Sequence, residues 1–444
     1  MLKRKILDKL LEWKSNKDKK SLIIEGARQV GKTFIINFFG NNYYEQFIYI
    51  NFLSNPKYKE IFTDNIDFKN VINKLKRYPE FKNINFDNEC LLFIDEIQEC
   101  PEAITSLKFL TINEKFNVIA SGSYLGLKFN KNANFSYPVG YIEVIKLNPL
   151  DFEEFLWAND VQLNDIKEIK DCFNNKKKIN NELHQYMIEK FKQYILVGGM
   201  PAAINEFIKE ENYFKVREIQ KQIIEYYFNE ANRYANTSDK LKIRECLLSI
   251  PNQLSKENKK FMFSHLNNNA RSKWYMSAIQ WLIDSNIVNI CKRISRIENP
   301  LNAFEITSDF KLYMSDTGLL CSMIDDSIIN LVLAKNENFI FKGALYENMI
   351  SQILIANNFK LRYFKPNQSL EIDFILSFQK GNPILLEVKS GNSRSKSLFT
   401  FLDKNKNLIG IKCTNENINF KNNKILNIPW YLLFVINPSQ EIEF

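Results

Sequence analysis

Apolar residues in the first third of the chain come in short, nearly uninterrupted runs. Leu22 to Ile24, FIYINF (47–52), LLFI (91–94), NVIASGS (117–123) and YIEVIKL (141–147) each have the length of a strand, with intervals long enough for crossover helices. Runs without a polar face belong to strands covered on both sides, so the pattern predicts a five-stranded parallel sheet with helices between the strands. From Gln185 to about Tyr234 the apolar positions recur at three and four, interrupted by GGMP at 198–201, which predicts helices broken at a Gly-Pro turn. KWYMSAIQWLI sets Trp274, Ala278, Trp281 and Leu282 on one helical face expected to be buried, and IVNICKRIS and NAFEITSDFKLYMSD follow as paired strands. Helices followed by a β-hairpin give the order of a winged helix, with Arg271 and Lys273 near the start of its third helix, where such modules meet DNA. Between FEEFLWAN and the helical stretch, DVQLNDIKEIKDCFNNKKKINNELHQY has little periodic apolar content and reads as a mobile linker or insertion.

Length changes the picture first. A chain of 444 residues exceeds the roughly 100–200 of an ordinary domain, so two to four domains are expected. No apolar run approaches the roughly 20 residues of a membrane helix, and the charged N-terminus lacks the pattern of a signal peptide. Seven scattered cysteines without a CxxC pair indicate neither a disulfide framework nor a zinc knuckle, which fits a reducing cytoplasm. His184 and His265 each stand alone in a polar setting and read as surface residues. The net charge of +9 favours a polyanionic partner, although the abundance of Lys along the whole chain accounts for part of it.

Chemistry enters at SLIIEGARQVGKTF, a GxxxxGK(S/T) loop between a strand and a helix. Gly26, Ala27, Arg28, Gln29, Val30, Gly31, Lys32 and Thr33 would cradle the phosphates of ATP, with Lys32 on the outer phosphates and the Thr33 hydroxyl on Mg²⁺. CLLFIDEIQECP ends a buried strand in Asp95 and Glu96, the first expected to hold Mg²⁺ and the second to polarise the attacking water. Ser121 and Ser123 end the next strand and are candidate γ-phosphate sensors, Ser123 being assigned to the nucleotide, or else strand-capping turn residues.

A second set lies near the C-terminus. FKGALYENMISQILIANN reads as a helix burying Leu345, Met349 and Ile353, with Glu347 elsewhere on it, ahead of the strands LEIDFIL and PILLEVKS. Strand alternation puts Glu371 with Asp373 and Glu387 with Lys389, all on one surface. Asp373 and Glu387 could hold a second Mg²⁺ or Mn²⁺ on a phosphodiester, with Lys389 countering developing charge. The alternative is an ordinary salt-bridged strand face, worth only about 0.2–1 kcal/mol and needing no metal.

GARQVGKT, LFIDEIQ, SGSYLG, PVGY…LNPLDFEEFL and VGGMPAAI resemble the AAA-type ATPase family whose members carry a C-terminal DUF4143 domain, over about residues 18–436. The family shows Gly-Arg where this chain has Gly140-Tyr141, so no arginine finger is assigned and no ring is required; a homo-oligomer and a protein partner both stay open. The C-terminal set is similar to the D…ExK pattern of restriction-endonuclease-like folds, with Glu347 as the helix-borne acid. The expected class is α/β: a parallel P-loop sheet (1–158), a polar linker (159–184), a helical lid (185–239), a winged-helix-like middle (240–335) and an α/β nuclease-like domain (336–444). The expected function is ATP hydrolysis controlling a DNA-acting nuclease-like domain. The alternative is a nucleotide-dependent regulator whose nuclease-like domain binds without cutting.

Overall fold

A computed structural model describes residues 1–86, 88–111, 115–122, 138–235, 237–266, 270–334, 339–367, 370–391, 395–405, 407–421 and 424–440. The chain forms two compact units: Arg4–Asn148 with Asp284–Asn286, and Met1–Lys3 with Pro149–Ile283 and Ile287–Phe444. The class is mixed α/β, as the apolar pattern predicts. Among the described residues no helix is long and apolar enough to cross a membrane.

In the unit built on Arg4–Asn148, strands β1 (Ser21–Glu25), β2 (Gln46–Asn51), β3 (Cys90–Asp95), β4 (Phe116–Gly122) and β5 (Ile142–Lys146) form a sheet in the order β2-β3-β4-β1-β5. All its neighbours are parallel. β3 and β4 are buried along their whole length, which is why CLLFID and FNVIASG carry no alternation. β2 is buried only at Ile48 and Ile50 and turns Tyr49 and Asn51 to its other face. Ile48 and Ile50 pack with Leu92, Ile94, Val118, Ala120 and Leu107, and each such side chain removed from water contributes about 1.5–3 kcal/mol before entropy is counted. The register sets Asn51 beside Asp95 and Ile24 beside Ser121, so the polar strand ends lie along one edge, where open α/β sheets bind ligands.

The other unit is helical over much of its length and contains two further sheets. β6 (Val288–Ile294) pairs antiparallel with β7 (Glu305–Met314), as the expected hairpin requires, and parallel with β8 (Arg362–Phe364). β9 (Phe374–Leu376), β10 (Ile384–Val388), β11 (Ile409–Thr414), β12 (Asn419–Lys421) and β13 (Ile425–Pro429) stand in the order β12-β13-β11-β10-β9. A single bridge between Phe364 and Ile372 joins the two sheets. β8, from beyond residue 336, thus completes the sheet of the 240–335 segment.

Several expectations change here. The polar tract contains the helix Leu163–Asn174, which buries Ile166, Ile169 and Phe173, so it is packed structure and not a bare linker. His184 is buried, not on the surface, with Nδ1 2.7 Å from the Tyr431 hydroxyl and Nε2 3.0 Å from the Asn415 carbonyl. The helix Ser272–Asp284 buries Tyr275, Ala278, Ile279, Trp281 and Leu282 but leaves Trp274 49% exposed, with Arg271 stacked over its ring. Glu347, expected off the buried face, is itself buried, because the helix Lys342–Ala356 is covered on all sides.

The GGMP break is a close approach between backbones. Gly199 N–H donates to Asp316 Oδ2 at 2.5 Å, and its carbonyl accepts from the Leu150 N–H at 2.7 Å. A Cβ at Gly199 would stand 2.1 Å from the Leu150 carbonyl oxygen, which is backbone and cannot swing aside. Gly199→Ala is therefore expected to destabilise the protein by about 2–3 kcal/mol, the upper end of overpacking costs, as read by the midpoint of urea unfolding.

Candidate nucleotide site and the C-terminal carboxylate network

β1 runs into the loop Gly26–Gly31, and the helix Lys32–Tyr43 follows. Gly31 turns the chain at φ +94°, a conformation that favours glycine, and the start of the helix then faces the loop. Lys32 is buried, and its ammonium donates to the carbonyls of Gly26 at 2.7 Å and Ala27 at 2.8 Å. Arg4 braces the same loop: Nη1 donates to the Val30 carbonyl at 3.0 Å and Nη2 to the Asn148 carbonyl at 2.7 Å. Nothing in the sequence points to Arg4, one of several cations on an amphipathic segment. Ser123 and the residues after it to 137 lie outside the described residues.

Asp95 is the centre of the strand-end cluster. Its Oδ2 accepts from the Thr33 hydroxyl, the Tyr49 hydroxyl and the Asn51 amide, each at 3.0 Å. Its Oδ1 accepts from the Ser121 hydroxyl and, at 3.1 Å, from the Glu96 N–H. Burial and the neighbouring Asp95 charge push the Tyr49 phenol up to about 12, so it remains a donor. Glu96 sits at φ +55°, a left-handed backbone uncommon for a non-glycine residue, and its carboxylate accepts from the Gln98 amide. Thr33 and Asp95 bring hydroxyl and carboxylate oxygens together, the hard donors that suit Mg²⁺, so these residues fit that ion.

The C-terminal acids are arranged differently. β9 and β10 pair antiparallel from Leu376↔Ile384 to Phe374↔Leu386, and Asp373 and Glu387 directly adjoin the last of these pairs. Asp373 Oδ2 accepts from the Val388 N–H at 2.8 Å, and Glu387 Oε1 pairs with Lys389 at 2.7 Å. Lysines fill the rest of the cluster. Glu347 Oε2 pairs with Lys259, while Oε1 accepts from Lys311 at 2.8 Å and from the Tyr313 hydroxyl. Lys311, fully buried, also reaches Glu371 Oε1 at 2.7 Å, and Lys365 takes Glu371 Oε2 at 2.7 Å. Burial alone would push the Lys311 ammonium down, but Glu347, Glu371 and Asp373 outweigh it and hold it well above its ordinary value. Burial would likewise raise Glu347, but Lys259 and Lys311 hold it below the carboxylate range. Burial, with the Glu347 charge added, raises Asp373 to about 7. Glu387 Oε2 is buried without a hydrogen-bond partner.

Four acids thus face four lysines. Among the described residues no group of three or more His, Cys, Asp or Glu is arranged to hold a metal ion. Lysine ammonium groups already pair with Glu347, Glu371 and Glu387 Oε1, so a divalent cation on those oxygens would have to displace them.

The sheet order, the loop and the strand-end cluster define a P-loop domain of AAA type. Residues 18–156 match the family described as AAA domain, residues 188–328 the domain of unknown function DUF8612, and residues 342–431 the domain of unknown function DUF4143. The chain thus carries an AAA domain with a P-loop and a C-terminal DUF4143 domain. No curated protein matches it. Among solved structures it is similar to the Walker-type ATPase PABY2304 of Pyrococcus abyssi, at 14% identity over 73% of this chain and 96% of that one, with a TM-score of 0.44. AMPPCP-bound DnaA from Aquifex aeolicus matches at 17% identity over 63% and 86%, TM-score 0.27. The Aeropyrum pernix ORC1 protein in complex with DNA matches at 10% over 74% and 92%, TM-score 0.26.

Proposed function

We propose that this protein binds and hydrolyses ATP with Mg²⁺ at the P-loop, and that its nucleotide state controls engagement of DNA in the cytoplasm by the winged-helix-like and C-terminal modules. The observation that carries the first part is the convergence of Thr33, Ser121 and the Glu96 N–H on Asp95. Gly26 to Thr33 would cradle the phosphates, Lys32 would bear on the outer ones, Thr33 and Asp95 would hold the ion, and Glu96 would orient water. The ion, when bound, neutralises phosphate charge. DNA engagement is supported by the net charge of +9 and by exposed Arg271 and Lys273 at the start of the helix Ser272–Asp284.

The C-terminal domain is proposed to bind without cutting, because Glu347, Glu371 and Glu387 are paired from within by Lys259, Lys311, Lys365 and Lys389. The second reading, a metal-dependent nuclease using Asp373, Glu387 and Lys389, is favoured by one observation: Glu387 Oε2 is buried with nothing bound to it. Linear, circular, single-stranded and branched DNA incubated with the protein in Mg²⁺ or Mn²⁺, with and without ATP, separates the two. Intact DNA with ATP-dependent retardation in gels is the expected result. Cut DNA whose appearance depends on Lys389 would replace it with the nuclease.

A further inference from the structure

β2 contributes more than core packing. Its alternation buries Ile48 and Ile50 and leaves Tyr49 and Asn51 on the face next to Asp95, with Asn51 directly beside Asp95 in the parallel register. The Asn51 amide is engaged at both ends. Its Oδ1 accepts from the N–H of Leu53 at 2.9 Å and of Ser54 at 3.0 Å, closing the turn after the strand. That fixes its Nδ2 toward Asp95 Oδ2 at 3.0 Å and the Tyr49 oxygen at 3.1 Å, since a flipped amide would lose the contacts to Leu53, Ser54 and Asp95. The Tyr49 ring lies against Phe93, centroids 5.3 Å apart, and its hydroxyl reaches the same Asp95 oxygen.

Asp95 Oδ2 therefore has two kinds of partner. Thr33 sits at the start of the helix that follows the phosphate loop, in the segment expected to meet the nucleotide. Tyr49 and Asn51 belong to β2, the edge strand held along β3 by the parallel ladder, outside the phosphate loop. We infer that Tyr49 and Asn51 are positioning residues that keep the Asp95 carboxylate aimed at the Thr33 side of the loop through the nucleotide cycle, and so set the affinity for the Mg²⁺ that accompanies ATP. The inference rests on the ATP·Mg²⁺ reading of this site. A carboxylate held from only one side can rotate, and small misplacements of such groups are costly to binding and turnover.

The test uses Tyr49→Phe, which keeps the ring on Phe93, and Asn51→Asp, which keeps the acceptor for Leu53 and Ser54 but removes the donor. Equilibrium binding of a fluorescent ATP analogue is measured in EDTA and across a Mg²⁺ titration. Each lost hydrogen bond of about 1 kcal/mol corresponds to roughly fivefold. Affinity in EDTA is expected to stay within about twofold of the unsubstituted protein. The Mg²⁺ concentration for half-maximal tightening is expected to rise about fivefold in Tyr49→Phe and about tenfold or more in Asn51→Asp, where two carboxylates face each other. Unchanged Mg²⁺ half-points, or equal losses with and without Mg²⁺, would overturn the positioning role while leaving ATP binding intact. An unsubstituted protein whose nucleotide affinity ignores Mg²⁺ would remove both. Should Asn51→Asp fail to fold, Tyr49→Phe decides alone.

Discussion

Glu347→Ala is expected to lower stability by about 3–5 kcal/mol, the range for breaking one side of a buried ion pair. The reason is Lys311, which has no exposed surface and depends on Glu347 and Glu371 for its charge. Truncation would leave that ammonium with one acid, and the buried Tyr313 hydroxyl without its acceptor. Lys259 is the contrasting partner. Its side chain is 20% exposed, so Lys259→Ala can admit water and is expected to cost about 1 kcal/mol. Urea unfolding of the two variants would therefore separate, and an equal, small effect would mean that Lys311 finds another way to shed its charge. The sign with pH follows from the same pair. Glu347 titrates below the ordinary carboxylate value of 4.5, so its contribution is in place above that pH and is lost as the medium is acidified through the lower folded-state value.

The pattern of what was legible follows from how far apart the interacting residues are in the chain. Gly26 to Thr33 are contiguous, and a strand before and a helix after can be read from the same local stretch. The uninterrupted runs at 91–94 and 117–123 likewise foretell β3 and β4, because a strand covered on both faces leaves its mark in its own residues. Asp95 could be singled out as the end of such a run, but its company could not. Tyr49 and Asn51 reach it only because β2 is the neighbour of β3 in this register, and pairing is a property of the sheet. The available signal was weak: polar residues at alternate positions of an otherwise apolar strand.

At the C-terminus, alternation foretells that Asp373 and Glu387 share a face, and the β9–β10 register is compatible with that. Alternation cannot foretell Lys311, which comes from β7, or Lys259, which lies between two helices far upstream. Those two lysines decide the electrostatics of the cluster, so the acids were legible and their compensation was not. The 163–174 segment is a different case. Ile166, Ile169 and Phe173 do carry helical spacing, but Asn, Asp and Lys between them dilute it, and burial against neighbours supplies what local propensity lacks. His184 looked isolated for the same reason that Asp95 did, since Tyr431 and Asn415 are more than two hundred residues away in the chain.

The largest functional effect is expected from Lys32→Ala: ATP turnover should fall by about a hundredfold to a thousandfold, the usual loss when one preorganised charge bearing on a transition state is removed. Stability should move much less. The Lys32 ammonium lies on the carbonyls of Gly26 and Ala27, so truncation removes two hydrogen bonds, and about 1–2 kcal/mol is expected. These two readouts together carry the weight. A large loss of turnover with a nearly unchanged urea midpoint assigns Lys32 to nucleotide chemistry. A large fall in both would mean that the ammonium chiefly holds the loop closed, and unchanged turnover would remove the proposed hydrolytic site. The same contacts imply an order of events, since an ammonium spent on two loop carbonyls must leave them before it can bear on phosphate. Nucleotide entry should accordingly loosen the Gly26 and Ala27 carbonyls as it engages Lys32, and the rate of that exchange, followed by stopped-flow binding of a fluorescent ATP analogue, should become faster and lose its saturation at high nucleotide in Lys32→Ala.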